Sequence, residues 1–151
     1  MEIERKFLTK AVPFDYEAYP HKKISQCYIS TLPTIRLRQM DDVYILTVKG
    51  KGHLAKEEFE MILTEEEYIH LKQKAETPVL EKTRYKIALD NHLVAELDIY
   101  AGHLQGLMTT EVEFSSVAEA EAFVPPDWFG MDITEDVRYK NTQLSKYGIP
   151  D

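Results

Sequence analysis

Charged residues recur at alternate positions through most of the chain, and this pattern restricts the possible folds more than any other feature. Successive side chains of a β-strand point to opposite faces, so residues two apart share a face. At the N-terminus, Glu2, Glu4 and Lys6 would therefore share one face, opposite Ile3 and Phe7. The arrangement recurs in Arg36-Leu37-Arg38, Val48-Lys49, Glu58-Phe59-Glu60-Met61, Lys82-Thr83-Arg84, Glu96-Leu97-Asp98 and Glu111-Val112-Glu113.

The segments that carry this period predict about eight strands, joined by short connections. Asp41-Asp42, Gly50-Lys51-Gly52 and Asp90-Asn91 separate successive segments. Asp, Asn and Gly tolerate the backbone conformations of tight hairpin turns, so neighbouring strands are predicted to pair antiparallel. The predicted strands are residues 2–9, 25–30, 35–40, 43–49, 55–63, 79–89, 92–100 and 108–114.

Helices are few and have clear start signals. Thr64 and Glu67 form a capping box that opens a helix running to about residue 75. Ser116 and Glu119 repeat the device before a short helix that ends ahead of Pro125-Pro126. A last helix is predicted over residues 141–147, and the undecided segment 10–23 could hold a short helix at 15–19.

Composition and length predict a single cytoplasmic domain over residues 1–151. The one cysteine, Cys27, excludes an intramolecular disulfide, and no apolar run approaches the roughly 18 to 20 residues that cross a bilayer. The N-terminus is charged where a signal peptide would become apolar. The net charge of −8 disfavours a protein that coats nucleic acid, so a polyanionic ligand would need a local basic site.

The recurring like-charged pairs favour a barrel over an open sheet. On any single strand, the simplest interpretation is a charged face toward solvent above an ordinary apolar core. Like charges on one face repel, however, unless opposite charges lie between them. The predicted fold is therefore mainly β (α+β), an eight-stranded antiparallel β-barrel whose charged face lines a tunnel and whose apolar face packs outward against a few helices.

Such a tunnel would hold eight carboxylates and at least six cations. Burying charges only to pair them is a poor route to stability, because desolvation can exceed the Coulombic gain. A ligand explains them better: Arg and Lys suit a chain of phosphates, and carboxylates suit Mg²⁺ or Mn²⁺. The predicted tunnel residues are Glu2, Glu4, Glu58, Glu60, Glu96, Asp98, Glu111, Glu113, Lys6, Arg36, Arg38, Lys49, Lys82 and Arg84.

These motifs together resemble the CYTH superfamily, the triphosphate tunnel metalloenzymes. Glu2-Ile3-Glu4-Arg5-Lys6 matches the Glu-x-Glu-x-Lys signature of that superfamily, and the resemblance continues over nearly the whole chain. The compact length and the C-terminal Arg138-Tyr139-Lys140-Asn141 are most similar to the small bacterial members that hydrolyse inorganic tripolyphosphate.

The resemblance implies a role for each group of site residues. Glu2, Glu4 and Glu113, together with Glu111, would hold the divalent metal, Mg²⁺ or Mn²⁺. For the reaction itself, we expect a second metal, or a carboxylate such as Glu60 or Asp98, to position or deprotonate water, and Lys82 to act on the leaving group or stabilise charge. Phosphate oxygens would be bound by Lys6, Arg36, Arg38, Lys49, Lys82 and Arg84. Arg138 and Lys140, in the C-terminal segment, are expected either to close one tunnel mouth and bind substrate or to lie in a solvated approach to the last helix.

Two kinds of alternative stay open at this stage. An organic triphosphate hydrolase, or an adenylyl cyclase of class IV type, would use the same fold. A noncatalytic polyphosphate-binding module would use the same cations without turnover. In every case the expected partner is a small polyanion, with no nucleic acid or membrane partner, and a homodimer is left open.

Overall fold

The computed structural model describes residues 2–51 and 54–151, which form one nine-stranded antiparallel sheet with three α-helices. The mainly β class predicted from the sequence is confirmed. The strands are β1 (Glu2–Leu8), β2 (His21–Thr31), β3 (Thr34–Met40), β4 (Val43–Lys49), β5 (Ala55–Lys56), β6 (Glu58–Leu63), β7 (Leu80–Ala88), β8 (Val94–Ala101) and β9 (Met108–Glu113). The helices are α1 (Glu65–Lys72), α2 (Val117–Ala122) and α3 (Asn141–Tyr147).

The sheet curls into a nearly closed barrel because one bent segment pairs with both of its ends. The strand order is β5-β1-β9-β8-β7-β2-β3-β4-β6, yet only Glu57 separates β5 from β6 in the chain. Glu58 on β6 lies opposite Lys49 on β4, and Lys56 on β5 lies opposite Glu2 on β1. The predicted barrel is confirmed, and the count rises to nine because the predicted strand 55–63 divides at Glu57.

The helices begin where their capping residues predict. The Thr64 hydroxyl accepts from the Glu67 backbone N–H (3.1 Å), and the Glu67 carboxylate accepts from the Thr64 N–H (2.8 Å). Ser116 caps α2 in the same way, but the Glu119 carboxylate accepts from Ser115 instead, so this box is incomplete. None of the helices in the described ranges is long and apolar enough to cross a membrane.

The undecided segment 10–23 is mostly irregular and ends in a strand. A single 3₁₀ turn, Tyr16–Ala18, occupies the region where a short helix was considered. β2 begins at His21, earlier than predicted, because residues 21–23 pair with β7 and a partner strand outweighs their weak local signal. Asp41 and Asn91 adopt positive φ in their hairpin turns as expected, whereas the Gly50-Lys51-Gly52 turn extends beyond the described residues.

The apolar core lies outside the barrel, between the outer face of the sheet and the helices. Tyr68 of α1 packs against Cys27 and Leu37, and Ala120 of α2 belongs to a second cluster with Val112. The inner face is consequently left to the charged residues of each strand, as the alternation predicts. Phe59 is an exception to the predicted outer core, since it is 57% exposed on β6.

Candidate active site

The barrel surrounds a cavity of about 1150 Å³ with a largely charged wall. Strands β1, β3, β4, β6, β7, β8 and β9 each contribute at least one inward charged side chain, because their alternate residues face the interior. Twelve of the predicted tunnel residues line this cavity: Glu2, Glu4, Lys6, Arg36, Arg38, Lys49, Glu58, Glu60, Arg84, Glu96, Glu111 and Glu113.

Carboxylates are concentrated where β1 pairs with β9. Glu4 lies opposite Glu113, and Lys6 lies opposite Glu111. Burial, together with the negative charges of Glu111 and Glu2, raises the pKa of Glu4 to about 8. Burial and Glu2 also raise the pKa of Glu113. This side of the cavity therefore holds more negative charge than its own cations neutralise.

Glu111 behaves differently from Glu4 although the two are neighbours. Burial alone would raise the pKa of Glu111, but the positive charges of Arg84 and Lys6 outweigh burial, so its pKa lies well below the usual range. Arg84 Nη2 lies 3.6 Å from Glu111 Oε1. The pair of carboxylates thus combines one that stays ionised with one that readily holds a proton.

A second acidic group lies where β5 and β6 meet β1. Lys49 Nζ lies 3.2 Å from Glu2 Oε1, and Lys56 Nζ lies 3.5 Å from Glu4 Oε1. Burial, followed by the hydrogen bond and charge of Glu2, raises the pKa of Glu58 to about 7. These lysines only partly offset the acidic charge of the wall.

The carboxylates fit a divalent metal by chemistry more than by present geometry. Within residues 2–51 and 54–151, no three His, Cys, Asp or Glu side chains are already arranged as ligands around one point. Carboxylate oxygens are nevertheless the ligands that Mg²⁺ and Mn²⁺ prefer. The crowding of negative charge that raises the pKa of Glu4 would also be relieved by a bound cation, so the donor set suits a divalent metal.

The opposite wall presents cations that lack enough counter-ions. Arg38 Nε donates to Gln26 Oε1 (2.9 Å), and burial together with Arg36 and Arg84 lowers the pKa of Arg38 to about 9. Arg36 Nη2 donates to Thr47 Oγ1 (3.1 Å), while its Nε is buried without a hydrogen-bond partner in the described structure. Two neighbouring buried guanidinium groups, one with a lowered pKa and one with an unpartnered Nε, favour the binding of an anion.

Lys82 and Asp98 lie behind the wall and not in it. Lys82 Nζ lies 2.7 Å from Asp98 Oδ2, and Arg84 donates to both oxygens of Asp98 at 2.8 Å. In the described part of the chain, the cavity wall includes neither Lys82 nor Asp98, in contrast to the expectation that both face the tunnel. Burial lowers the pKa of Lys82 to about 7.

The C-terminal segment contributes to the wall through only one of its two predicted cations. Lys140 lines the cavity, and burial lowers its pKa, with a smaller effect from Lys56. The Arg138 side chain is 57% exposed and points to Asp136, with Nη2 and Oδ2 2.7 Å apart. Lys6 Nζ donates to the Tyr139 carbonyl oxygen (2.6 Å), so the segment contacts the N-terminal motif directly.

Among the wall residues that were not predicted as site residues, Lys56 and Tyr28 lie on strands beside the predicted cations. Lys56 precedes Glu58 at the same spacing of two that identified the other strands, so the pattern itself could have found it. Tyr28, for which packing was the favoured interpretation, lies opposite Arg36, and its hydroxyl accepts from Gln26 Nε2 (3.0 Å). No sequence signal separated Tyr28 from an ordinary core tyrosine.

Comparison with known proteins gives close relatives, although no family model matches the chain. A Nitrosomonas europaea protein named inorganic triphosphatase is 43% identical over 149 residues, which cover 95% of this chain and 96% of that protein. An Acetivibrio thermocellus protein with the same name is 35% identical over 116 residues, covering 75% of this chain and 72% of the other.

Solved structures agree with these relatives. A crystal structure described as that of an inorganic triphosphatase is 38% identical, covers 99% of this chain and 100% of its own, and superposes with a TM-score of 0.71. A Hippeastrum protein described as an adenylyl cyclase with a dominant triphosphatase activity shares the fold alone, at 13% identity and a TM-score of 0.61 over 80% of this chain and 83% of its own. The chain therefore belongs to the inorganic triphosphatase family of the CYTH superfamily, the triphosphate tunnel metalloenzymes.

Proposed function

We propose that this protein is a divalent-metal-dependent hydrolase that cleaves inorganic tripolyphosphate to pyrophosphate and phosphate inside the barrel. The observation that carries this proposal is the pair of buried guanidinium groups of Arg36 and Arg38, which face a carboxylate-rich wall across one cavity. A short polyphosphate would supply negatively charged oxygens as counter-ions for these two arginines. A metal ion between that anion and the carboxylates would offset their charge in turn.

Phosphate oxygens are bound by the cations of the wall. Arg36 and Arg38 supply planar guanidinium groups that can hold two oxygens at once, and lysines supply point charges. Arg84, whose Nε and Nη2 already bind Asp98, supplies its positive charge and its remaining N–H groups. These groups bind the substrate and stabilise the charge that develops on the phosphates during transfer. The lysines assigned to this role are Lys6, Lys49, Lys56 and Lys140.

The metal ligands are the carboxylates of β1 and β9, namely Glu2, Glu4, Glu111 and Glu113. A bound Mg²⁺ or Mn²⁺ would neutralise phosphate charge and polarise the phosphoanhydride. Because Glu4 holds a proton near neutral pH, it must release that proton before its carboxylate can bind a metal.

The water-positioning role is assigned to Glu60 in preference to Asp98. Glu60 lies in the wall, its side chain is 51% exposed, and Oε2 accepts from Thr47 Oγ1 (3.3 Å). Asp98 does not line the cavity, and both of its oxygens already accept hydrogen bonds from Lys82 or Arg84. Asp98 instead holds the wall residue Arg84 in place, and Lys82 binds the same carboxylate.

Every residue assigned to the chemistry lies in a barrel strand except Lys140, which precedes α3 in the C-terminal segment of the same chain. We expect a cytoplasmic enzyme, since its only cysteine, Cys27, is a buried free thiol of the kind that a reducing compartment maintains. The substrate is a small polyanion, so this activity requires neither nucleic acid nor a membrane surface.

A substrate panel tests the proposal. Tripolyphosphate, ATP and thiamine triphosphate are supplied with Mg²⁺ or Mn²⁺, and released phosphate and cyclic AMP are both measured. We expect phosphate release to be fastest from tripolyphosphate and to stop in EDTA. Lys23→Ala removes an exposed lysine and serves as the control for Arg38→Ala. Cyclic AMP formation from ATP would identify a cyclase, and binding without phosphate release would identify a noncatalytic module.

A further inference from the structure

The carbonyl group of Tyr139 fixes the direction of the Lys6 ammonium. Tyr139 ends a 3₁₀ turn, Val137–Tyr139, which connects to α3. Lys6 Nζ donates to Tyr139 O at 2.6 Å, and the described residues offer Lys6 Nζ no other hydrogen-bond acceptor. The position of this turn therefore decides where one substrate-binding cation points.

The turn itself is closed by Asp136 and Arg138. Asp136 Oδ1 accepts from the backbone N–H of Arg138 (3.1 Å) and from its Nε (3.0 Å), and Oδ2 accepts from Nη2 (2.7 Å). The Arg138 guanidinium also lies over the ring of Tyr139, 5.7 Å from its centroid. One carboxylate thus binds the backbone and side chain of the same residue and fixes the loop that carries Tyr139.

The same segment is bound to the backbone of Lys6. The N–H of Ile133 donates to the Lys6 carbonyl (2.8 Å), and the Lys6 N–H donates to Thr134 Oγ1 (3.0 Å). Lys6 is consequently held by the C-terminal segment at its backbone and at its ammonium. A shift of the turn at Asp136 would move the contact between Tyr139 O and Lys6 Nζ, while the contacts of Ile133 and Thr134 with the Lys6 backbone stay in place.

We propose that Asp136 and Arg138 are positioning residues, which close the turn Val137–Tyr139 so that the Tyr139 carbonyl holds the Lys6 ammonium toward the substrate. The assignment rests on the proposed function of the cavity. It also gives Arg138 a role that its geometry permits, since the exposed guanidinium does not line the cavity itself and binds Asp136 instead.

Simple charge neutralisation predicts the opposite result from positioning. Asp136 lines the cavity, so its carboxylate lies on the side of an anionic substrate. If Arg138 only cancelled that charge, removing Asp136 would strengthen the binding of tripolyphosphate. If the pair positions Lys6, removing Asp136 weakens binding although a negative charge is lost.

The decisive variant is Asp136→Ala, compared with Glu135→Ala. Glu135 is the preceding residue, is exposed, and loses the same charge from the same segment. We expect Asp136→Ala to raise KM for tripolyphosphate about three- to tenfold, the effect of misplacing one hydrogen bond to a charged group, with a smaller change in kcat. Arg138→Ala should match it, the double variant should be no worse, and Glu135→Ala should behave as wild type.

A double-mutant cycle with Lys6→Met links the effect to Lys6. In that background Asp136→Ala should change the affinity for tripolyphosphate, measured by calorimetry, less than twofold, because the group it positions is absent. Full additivity, or a lower KM in Asp136→Ala, would overturn the positioning role.

A readout that needs no activity separates this inference from the proposed function. In the free wild-type protein, the Lys6 ammonium should give a ¹⁵N NMR signal slowed in exchange by its hydrogen bond, and Asp136→Ala should abolish that signal. If the wild-type protein proved inactive, the proposed function would fail. The spectrum would still show whether the turn Val137–Tyr139 positions the Lys6 ammonium. An unchanged Lys6 signal in Asp136→Ala would refute the inference.

Discussion

Lys82 and Asp98 form an ion pair without solvent contact: Nζ and Oδ2 are 2.7 Å apart, and both side chains are 0% exposed. Arg84 shares the same carboxylate through two further hydrogen bonds of 2.8 Å. A single buried carboxylate is therefore shared by two cations, and Arg84 has Glu96 and Glu111 as further counter-ions, each 3.6 Å away. Breaking such an array leaves a buried charge uncompensated, which costs far more than losing an exposed pair.

Asp98→Asn should destabilise the fold by about 3–5 kcal/mol, because Lys82 and Arg84 would lose their shared counter-ion. Urea unfolding followed by circular dichroism measures the change. Glu96→Gln is the matched control, since Glu96 is more exposed and lies 3.6 Å from Arg84 Nη1. It should cost less than about 1 kcal/mol. Wild-type stability of Asp98→Asn would show that the array is not a structural unit.

Arg38→Met should separate stability from activity. Burial and neighbouring arginines lower the pKa of Arg38 to about 9, so its charged form is held at a cost in the free protein. We expect unchanged or higher stability and a loss of about 100-fold or more in kcat for tripolyphosphate. Thermal unfolding and phosphate release are measured on the same preparation. Reduced stability with full turnover would contradict the assignment of Arg38 to the substrate.

The stability of the metal-free protein should fall as the pH rises from 5 to 7. The pKa of Glu4 is raised to about 8 in the folded state, so the folded state binds more protons than the unfolded state over this range. Glu58, with its pKa raised to about 7, acts in the same direction. Glu4→Gln should flatten the dependence, as followed by urea unfolding in EDTA. If the stability of the wild-type protein rose with pH over this range, the predicted direction of the pH dependence would be wrong.

Metal binding should strengthen over a similar pH range. Because Glu4 must lose its proton to act as a ligand, the affinity for Mn²⁺ should increase from pH 6 to pH 8. Calorimetric titration of the substrate-free protein measures this. Glu4→Gln should bind Mn²⁺ at least about tenfold more weakly, the scale of one lost charged contact. Tight binding that is independent of pH and of Glu4 would place the metal elsewhere.

The sequence predicts the barrel well because its periodic signal is simple. Alternation in Arg36-Leu37-Arg38 or Glu111-Val112-Glu113 reports directly which side chains share a face. The division of the strand at Glu57 has no such signal, because it arises where the segment stops pairing with β1 and begins to pair with β4. That change depends on closure of the whole sheet, and no local property of Glu57 reports it.

The site was less predictable for a related reason. Alternation places Lys82 and Asp98 on the inner face, but it does not report depth along the barrel. Both residues lie outside the cavity wall, with Lys82 Nζ 5.4 Å from the centroid of the buried Tyr100 ring. Arg138 lies in a turn without periodicity, so its contact with Asp136 is visible only in three dimensions. A face can be inferred from spacing, whereas depth and loop orientation depend on packing.

The location of the substrate tests the central claim most directly. A crystal structure of the protein with tripolyphosphate and Ca²⁺ should show phosphate oxygens within hydrogen-bond distance of Arg36 and Arg38, with the cation beside Glu4. Tripolyphosphate bound only on the outer surface, with these arginines still unoccupied at saturating concentration, would contradict hydrolysis inside the barrel.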